Sequence, residues 1–301
     1  MTRLRTIPPT EQVYRSHVPS QYHGFPIEKY FAARFAYQTE DQWIRLILNG
    51  KIAVNGETAV VGQPVREQDL AVTQMGLRTE PAADRNLSVV YQDRQIRAFN
   101  KGAPIPVHPC GRYFKNTMTE ILKLIYPQEV PRPIQRLDAT TTGLIVFART
   151  REAAAFIMTE FQENRVHKEY LALVEGVPRS GQFTIDAPIG KLKGSKRGVG
   201  EDTLRSQSAR TDVEWLRTIG GRSLLKVIPR SGRTNQIRVH LASVGLPIYN
   251  DSVYGKGRDS RQEYGLHHRR MRFRCLDTIL DLTASCPNHF QPFIESVSDE
   301  I

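Results

Sequence analysis

The pattern of hydrophobic positions changes twice within the first 86 residues. Residues 1–27 are rich in Pro, Thr, Ser and His and show no periodicity, which predicts an extended N-terminal arm. Residues 28–75 contain a helical stripe that ends at Asn49-Gly50, followed by an Asn-Gly hairpin signal at residues 55 and 56. The stripe consists of Trp43, Ile44, Ile47 and Leu48. We therefore predict a small separate module over residues 28–75 and a polar linker over residues 76–86.

From Leu87 onward the pattern alternates between strand and helix. An unbroken apolar run over residues 143–148 predicts a buried strand, and residues 170–174 alternate as a strand does. Helices are predicted over residues 116–124, 151–164 and 234–244. Residues 191–210 are polar, basic and rich in Gly and Ser, which predicts a mobile loop. Together these elements predict an α+β domain over residues 87–301, with a mostly antiparallel mixed sheet flanked by helices.

Composition narrows the class of protein. Hydrophobic residues make up 40% of the 301 residues, which excludes a disordered chain, and no apolar run approaches the roughly 18 residues of a membrane span. The first nine residues lack the apolar stretch of a signal peptide, and the three cysteines are too widely spaced for a disulfide framework. We therefore expect a cytoplasmic protein with no membrane partner.

The charge is unevenly distributed along the chain. The formal net charge is +11, and residues 191–274 carry 19 basic and 7 acidic residues. The module over residues 28–75, in contrast, carries five basic and six acidic residues. This distribution predicts a polyanionic partner that binds the C-terminal domain.

One acidic residue, Asp138, lies in an unusual context. It follows Arg136 and precedes three threonines and Gly143, directly before the predicted buried strand. Most aspartates in such segments cap a turn. The alternative is a catalytic carboxylate held in a turn, which other motifs must support.

Two further residues could contribute chemistry. Tyr170 shares a strand face with Ala172 and Val174, so it is either an ordinary core aromatic or a flat platform for a stacked base. Arg233 follows Gly232 at a predicted helix start, where an arginine is either a solvated charge or a partner for a carboxylate or phosphate.

Three ordered motifs carry a specific resemblance. They read Arg-Leu-Asp-x-x-Thr-Thr-Gly over residues 136–143, Lys-x-Tyr-x-Ala-x-Val-x-Gly over residues 168–176, and Ser-Gly-Arg-Thr-x-Gln-Ile-Arg-Val-His-Leu over residues 231–241. Shorter matches are Phe99-Asn-Lys-Gly102, Val107-His-Pro109, Pro247-Ile-Tyr-Asn-Asp251, Tyr254-Gly255 and Leu266-His267. In this order they resemble the RluA-type pseudouridine synthase family over about residues 87–295. The module over residues 28–75 resembles the small αL RNA-binding domain that often precedes this catalytic domain.

The resemblance implies a fold, a reaction and a set of site residues. The fold is that of a pseudouridine synthase, and the reaction detaches a uracil from its ribose, rotates it and reattaches it through C5. The resemblance makes Asp138 the essential carboxylate, Tyr170 the stacking ring and Arg233 the cation that orients Asp138. It places four residues on the substrate: Arg136, Ile237, Arg238 and Thr142. No metal and no other cofactor is implied.

The resemblance also implies a partner, a structured ribosomal or transfer RNA whose target nucleotide is flipped out of its stack. Phosphate contacts are expected from residues 191–210 and 269–274, and we expect a monomer. The chain departs from the family at Gln135 and Asn235, where His is common, and at Ala139, where Arg is usual. These positions bear on RNA contacts rather than on the carboxylate.

Three other functions compete with this interpretation. A non-catalytic RNA-binding or ribosome-assembly protein with the same fold would have no need of the acid at position 138. A zinc site would need ligands from Cys275, Cys286, His267, His268 and His289, whose spacing matches no compact zinc motif. A glycosidase would need a second carboxylate, and none lies near Asp138 in the sequence.

Overall fold

A computed structural model of the chain describes residues 4–35, 37–192, 196–257 and 263–294, which fold as two units. One unit is Ile7–Glu80, and the second contains the residues on both sides of it. Strand β1 (Leu4–Arg5) belongs to the second unit because it pairs with residues 83 and 84. Within the described residues, no helix is long and apolar enough to cross a membrane.

The Ile7–Glu80 unit is a four-stranded antiparallel sheet with two helices. Its elements are β2 (Thr10–His17), α1 (Ile27–Arg34), α2 (Glu40–Leu48), β3 (Ile52–Val54), β4 (Glu57–Thr58) and β5 (Leu70–Arg78). The predicted helix is present as α2, and the predicted stripe is confirmed in part, because Trp43 and Ile47 are buried whereas Leu48 is exposed. The hairpin is also confirmed, because Asn55 and Gly56 both have positive φ, 52° and 92°, between β3 and β4.

The boundaries of this unit differ from the predicted ones. Strand β2 pairs antiparallel with β5, so residues 10–17 are part of the sheet and the predicted arm over residues 1–27 is wrong there. Strand β5 also extends through Arg78, into the predicted linker over residues 76–86. The misassignment arose because β2 has no clear alternation and its partner lies far along the chain, beyond the reach of local patterns.

The second unit carries most of the secondary structure. Its further elements are β6 (Ala83–Asp84), β7 (Leu87–Gln92), β8 (Ile96–Lys101), α3 (Met118–Ile125), β9 (Arg132–Pro133), β10 (Thr142–Ala148), α4 (Arg151–Gln162), β11 (His167–Glu175), β12 (Gln182–Asp186), β13 (Ile189–Lys191), β14 (Arg197–Val199), β15 (Leu204–Gln207), β16 (Arg210–Ile219), β17 (Arg222–Pro229), α5 (Gln236–Ser243), β18 (Leu266–Cys275), β19 (Thr278–Thr283) and the one-turn α6 (Gln291–Ile294). The three predicted helices and the buried strand are therefore all present, with ends that differ from the predicted ones by at most two residues.

A ten-stranded mixed sheet forms the centre of this unit. The strand order is β12-β16-β17-β11-β18-β10-β8-β7, with β19 added to β18 and β9 added to β10. Only the β10–β18 pair is parallel among the described pairings of this sheet. The predicted α+β class with a mostly antiparallel sheet is confirmed.

The helices cover both faces of the sheet. On β10, Leu144 and Val146 pack in the cluster that contains α4, whereas Ile145 and Phe147 pack in the cluster that contains α3. Tyr170 contacts both the α3 cluster and the cluster around α5, so α3 and α5 lie on the same face. The functional residues described below gather on that face.

Residues 189–207 contain a small sheet. Strands β13, β14 and β15 pair antiparallel, and Ile189 and Val199 pack in a cluster with Val239 of α5. The predicted mobile loop over residues 191–210 is therefore wrong for its described part, while residues 193–195 lie outside the described residues. The strands are short and Gly-rich, which removes the hydrophobic alternation on which the prediction depended.

Candidate active site

Asp138 lies in the loop between β9 and β10, and the backbone around it is fixed from several sides. The neighbouring Leu137 is 7% exposed and packs in the α3 cluster. The carbonyl of Asp138 accepts a hydrogen bond from the amide of Thr141, at 3.1 Å, and the carbonyl of Ala139 accepts one from the amide of Ile105, at 2.9 Å. The carboxylate itself is 39% exposed. The loop therefore presents the acid to solvent on a rigid backbone.

Arg238, on α5, orients this carboxylate. Its Nη1 donates to Oδ2 of Asp138, with a nitrogen–oxygen distance of 2.6 Å. Its Nε and Nη2 donate to Oδ2 and Oδ1 of Asp251, at 2.7 Å and 2.9 Å. Burial alone would lower the pKa of Arg238, but the hydrogen bond to Asp251 and the nearby Tyr264, Asp138 and Asp251 raise it above its ordinary value. The guanidinium is therefore a permanent cation between two carboxylates.

Asp251 anchors the far side of the guanidinium. Its carboxylate is 1% exposed and also accepts hydrogen bonds from the hydroxyl of Tyr264, at 3.0 Å, and from the amides of Val253 and Tyr254, at 2.9 Å and 3.1 Å. Burial would raise its pKa, but the hydrogen bond from Arg238 holds the pKa of Asp251 below its ordinary value. A buried carboxylate with this many donors fixes the direction of the Arg238 fork. The sequence named Asp251 only as part of a motif and gave it no role.

The structure does not place Arg233 against Asp138, so that prediction is corrected. The Arg233 side chain is exposed, and its Nε donates to the carbonyl of Ser208, at 3.0 Å. Its amide donates to Oε1 of Gln236, at 3.0 Å, so the residue belongs to the turn before α5. The helix begins after Asn235, which has a left-handed φ of 57°, and this register directs Arg238 toward the acid.

Tyr170 supplies a flat aromatic surface near Asp138. Its ring lies parallel to the imidazole of His268, with centroids 4.4 Å apart and an interplanar angle of 13°. Burial, and then the charge of Asp138, raise the pKa of Tyr170 above its ordinary value, so its hydroxyl is neutral at physiological pH. Ile237, 6% exposed, belongs to the apolar cluster against which this ring packs. Asp138, Tyr170, Arg238 and Ile237 are thus brought together.

Lys101, at the end of β8, is a site residue to which the sequence assigned no role. It is 1% exposed, and its Nζ donates to the carbonyls of Gly102 and Ala139, at 2.9 Å and 3.0 Å. Burial lowers its pKa to about 7, although the charges of Asp138 and Asp84 act in the opposite direction. A buried lysine that holds the residue after the acid stabilises the loop that carries Asp138. An unusual buried cation of this kind has no periodic signature in a sequence.

The remaining predicted residues lie around this group. Arg136 is exposed, two residues before Asp138 in the same loop. The hydroxyl of Thr142 is hydrogen bonded to Nδ1 of His267, at 2.9 Å, so it joins β10 to β18 instead of facing the acid. Among the residues that the structure describes, no group of three or more His, Cys, Asp or Glu side chains is arranged to hold a metal ion.

This geometry provides a held carboxylate beside a neutral ring. Oδ2 of Asp138 is engaged by Arg238, whereas Oδ1 accepts no hydrogen bond from any described residue. One oxygen is therefore left for a substrate, and the adjacent Tyr170 surface suits a planar base. Such a site can support attack or proton transfer by one carboxylate on a stacked heterocycle.

Comparisons with known proteins identify relatives of this chain. Residues 95–243 match the family model described as RNA pseudouridylate synthase. The chain is 35% identical over 274 residues to an uncharacterized RNA pseudouridine synthase of Chloroflexus aurantiacus, with 85% of this chain and 80% of that protein covered. It is 32% identical over 255 residues to the mitochondrial tRNA pseudouridine(32) synthase of Saccharomyces cerevisiae, with 83% of this chain covered. It spans 55% of the length of that yeast protein.

The fold is shared with solved structures. Human RNA pseudouridylate synthase domain containing 1 superposes with a TM-score of 0.60 at 26% identity, and the match covers 72% of this chain and 89% of that one. The ordered motifs, the Asp138–Arg238 pair and the Tyr170 surface all lie within the matched family region. Sequence, fold and site geometry agree, and the chain belongs to the RluA-type RNA pseudouridine synthase family.

Proposed function

We propose that this protein isomerises specific uridines in structured RNA to pseudouridine, with Asp138 as the essential carboxylate. The observation that carries the proposal is the position of Asp138, which Arg238 holds through one oxygen next to the Tyr170 ring. The reaction breaks the bond between N1 and C1′ and forms one between C5 and C1′. A proton leaves C5 and one is gained at N1, so the product is an isomer.

Each residue has a distinct part in this proposal. Oδ1 of Asp138 meets the nucleotide, while Arg238 compensates the negative charge and fixes the carboxylate plane. Tyr170 stacks on the uracil, and its hydroxyl, which is neutral at physiological pH, exchanges a proton with the base. Ile237 contributes to the apolar wall. Arg136, exposed on the same loop, fills the space that the flipped nucleotide leaves in the RNA.

The substrate is a uridine in a loop or bulge, because flipping costs a few kcal/mol in a duplex and less where the base is already unstacked. The yeast relative is named for a position in transfer RNA. The proposal extends to transfer or ribosomal RNA for this chain. The 19 basic residues between positions 191 and 274 support an RNA partner.

The proposal includes a cytoplasmic monomer that works without an added cofactor. The three cysteines are free thiols, which is compatible with a reducing compartment. The chemistry is an isomerisation, so no net electron transfer or energy source is required. Size-exclusion chromatography with light scattering tests the oligomeric state, and fractionation of cells tests the compartment.

Transcriptome-wide pseudouridine mapping, with the gene present and deleted, tests the activity. We expect defined pseudouridines to disappear on deletion, to return with the wild-type gene, and to stay absent with Asp138→Asn. The amide keeps an oxygen for Arg238, so fold and RNA affinity should remain near wild type. Asp277→Asn, at an exposed position, is the matched control. An active Asp138→Asn enzyme would refute the proposal, and an unchanged map with intact RNA binding would favour a non-catalytic RNA-binding protein.

A further inference from the structure

A second ring lies behind Tyr170, and the proposed reaction gives it no role. The imidazole of His268 is fully buried and nearly parallel to the Tyr170 ring, with centroids 4.4 Å apart. Its Nδ1 donates to the carbonyl of Leu144, at 2.6 Å. Stacking fixes one face of this imidazole, and the hydrogen bond fixes its rotation. The Tyr170 ring therefore rests on a support that is itself held in place.

The strands on both sides determine this arrangement. His268 is on β18, which pairs in parallel with β10 at Gly143 and antiparallel with β11 at Tyr170. Gly143 has a φ of 106°, and a Cβ there would lie 2.3 Å from the carbonyl oxygen of His268, so only glycine permits this approach. A bulge between Glu169 and Tyr170 shifts β11 and places Tyr170 opposite His268. Backbone geometry, and not chance packing, brings the two rings together.

The surroundings of His268 keep it uncharged. Burial lowers its pKa to about 3. The backbone groups of Leu144 and Arg270 oppose this shift, and the charges of His267 and Lys168 increase it. With the proton on Nδ1, the bare Nε2 accepts no hydrogen bond from any residue that the structure describes. At neutral pH the residue offers a flat face and the hydrogen bond to Leu144, and it carries no proton that the reaction can use.

We propose that His268 is a positioning residue, whose buried imidazole supports the back of the Tyr170 ring and so sets the height and tilt of the surface on which the uracil stacks. The inference rests on the proposed function. Tyr170 turns about two side-chain torsions, and a ring supported on one side presents a fixed surface on the other. A misplaced surface would shift the uracil relative to Oδ1 of Asp138, which affects turnover more than RNA binding.

Three variants separate the contribution of the flat imidazole face from that of its hydrogen bond to Leu144. His268→Phe keeps the flat face without the hydrogen bond, His268→Asn keeps a donor near the position of Nδ1 without the ring, and His268→Ala removes both. Single-turnover rates at saturating RNA and RNA dissociation constants are measured for each. We expect the Ala and Asn variants to lose about 10²-fold in rate, as for a misplacement of about 1 Å, with RNA affinity changed about twofold or less. The Phe variant should recover most of the rate.

Phe273→Leu is the matched control, because Phe273 is a buried aromatic on the same strand in a cluster that does not contain Tyr170. It should lower thermal stability and leave the rate of the folded enzyme near wild type. The rate ratio of wild type to Phe variant should also be constant between about pH 6 and 8, because His268 does not titrate there. A ratio that changes with pH, or a fast Ala variant, would overturn the proposal.

A readout without RNA separates this inference from the proposed function. Tyrosine ring signals in an NMR spectrum of ¹³C-labelled protein are assigned to Tyr170 through the loss of one signal in Tyr170→Phe. We expect the ring current of His268 to shift this signal, His268→Ala and His268→Asn to move it, and His268→Phe to preserve most of the displacement. An unmoved signal in the Ala variant would disprove the support. If the wild type modifies no RNA, the proposed function fails while this measurement still reports on the stacked rings.

Discussion

The two sides of the site are held by opposite means. On one side, the guanidinium of Arg238 lies between Asp138 and Asp251 and makes three charged hydrogen bonds. On the other side, Tyr170 stacks on an uncharged His268, which is itself held by a hydrogen bond to the carbonyl of Leu144. The charged side depends on the direction of each donor, whereas the neutral side depends on volume and flatness.

This difference indicates which substitutions each side tolerates. Charged hydrogen bonds in a partly buried pair no longer stabilise the site when a donor is misdirected, because the remaining charge stays desolvated. A stacked pair of rings keeps much of its stabilising energy when one flat ring replaces another. Conservative charge substitutions should therefore do the most damage on the charged side, and conservative ring substitutions the least damage on the neutral side.

Arg238→Lys should have the largest effect among charge-conserving changes. A lysine has one nitrogen and cannot bond Asp138 and Asp251 together in the planar geometry of the guanidinium. We expect a loss of about 10²-fold in single-turnover rate, while RNA affinity changes little. Arg233→Lys, in the same motif, should change the rate by about twofold at most, because Arg233 is exposed and bonds a backbone carbonyl.

Thermal unfolding of both variants serves as the control for this comparison. Arg238→Lys is expected to unfold at a lower temperature, since Asp251 is buried and loses a donor. Rates are then compared well below that temperature. Equal losses for the two variants would contradict the assignment of Arg238 to Asp138, and a larger loss for Arg233→Lys would restore the original prediction from sequence.

The sequence predicted Asp138 and Tyr170 as site residues, but it did not predict that Arg238 and His268 hold them in place. The local patterns of Asp138 and Tyr170, a turn before an apolar run and an alternating strand, were also compatible with a turn cap and a core aromatic, and the resemblance of the ordered motifs to a known family gave both residues their roles. The choice between Arg233 and Arg238 depended on where α5 begins, and the left-handed Asn235 fixes that register in three dimensions. The sequence shows that both arginines lie in the same motif, but it does not show which of the two side chains reaches Asp138.

The secondary structure also contains elements that local patterns predict and elements that they miss. Strand β10 was predictable from its apolar run, and the hairpin at Asn55 from its Asn-Gly pair. The pairing of β2 with β5, and the sheet of β13 to β15, depend on distant partners and weak alternation. Lys101 was missed for a similar reason, because only the tertiary structure reveals that a lysine is buried beside Asp138.

Lys101→Met should change the pH dependence of stability on the charged side. The pKa of Lys101 is about 7 when folded and returns to its ordinary 10.5 on unfolding, so between these values the unfolded chain binds more protons. The free energy of unfolding of the wild type should therefore rise with pH, relative to Lys101→Met, by about 1 kcal/mol per pH unit between about pH 7.5 and 9.5. Denaturant titrations at several pH values measure the free energy of unfolding of each variant. As a control, Lys256→Met, at an exposed position, should have the same pH dependence of this free energy as the wild type. If Lys101→Met also has the wild-type pH dependence, Lys101 is not desolvated.

The smallest expected effect concerns the charge around the site rather than within it. Lys191 and Arg205 are exposed on β13 and β15, inside the stretch that carries the basic excess, whereas Lys29 and Arg45 are exposed in the nearly neutral Ile7–Glu80 unit. If the first pair contacts phosphates, replacing both with Gln should reduce the slope of log affinity against log salt by about 0.7 to 0.9 for each residue. The same change at Lys29 and Arg45 should leave the slope unchanged. Titrations at several salt concentrations measure both slopes, and a larger change for Lys29 and Arg45 would mean that the N-terminal unit, despite its balanced charge, makes the main phosphate contacts.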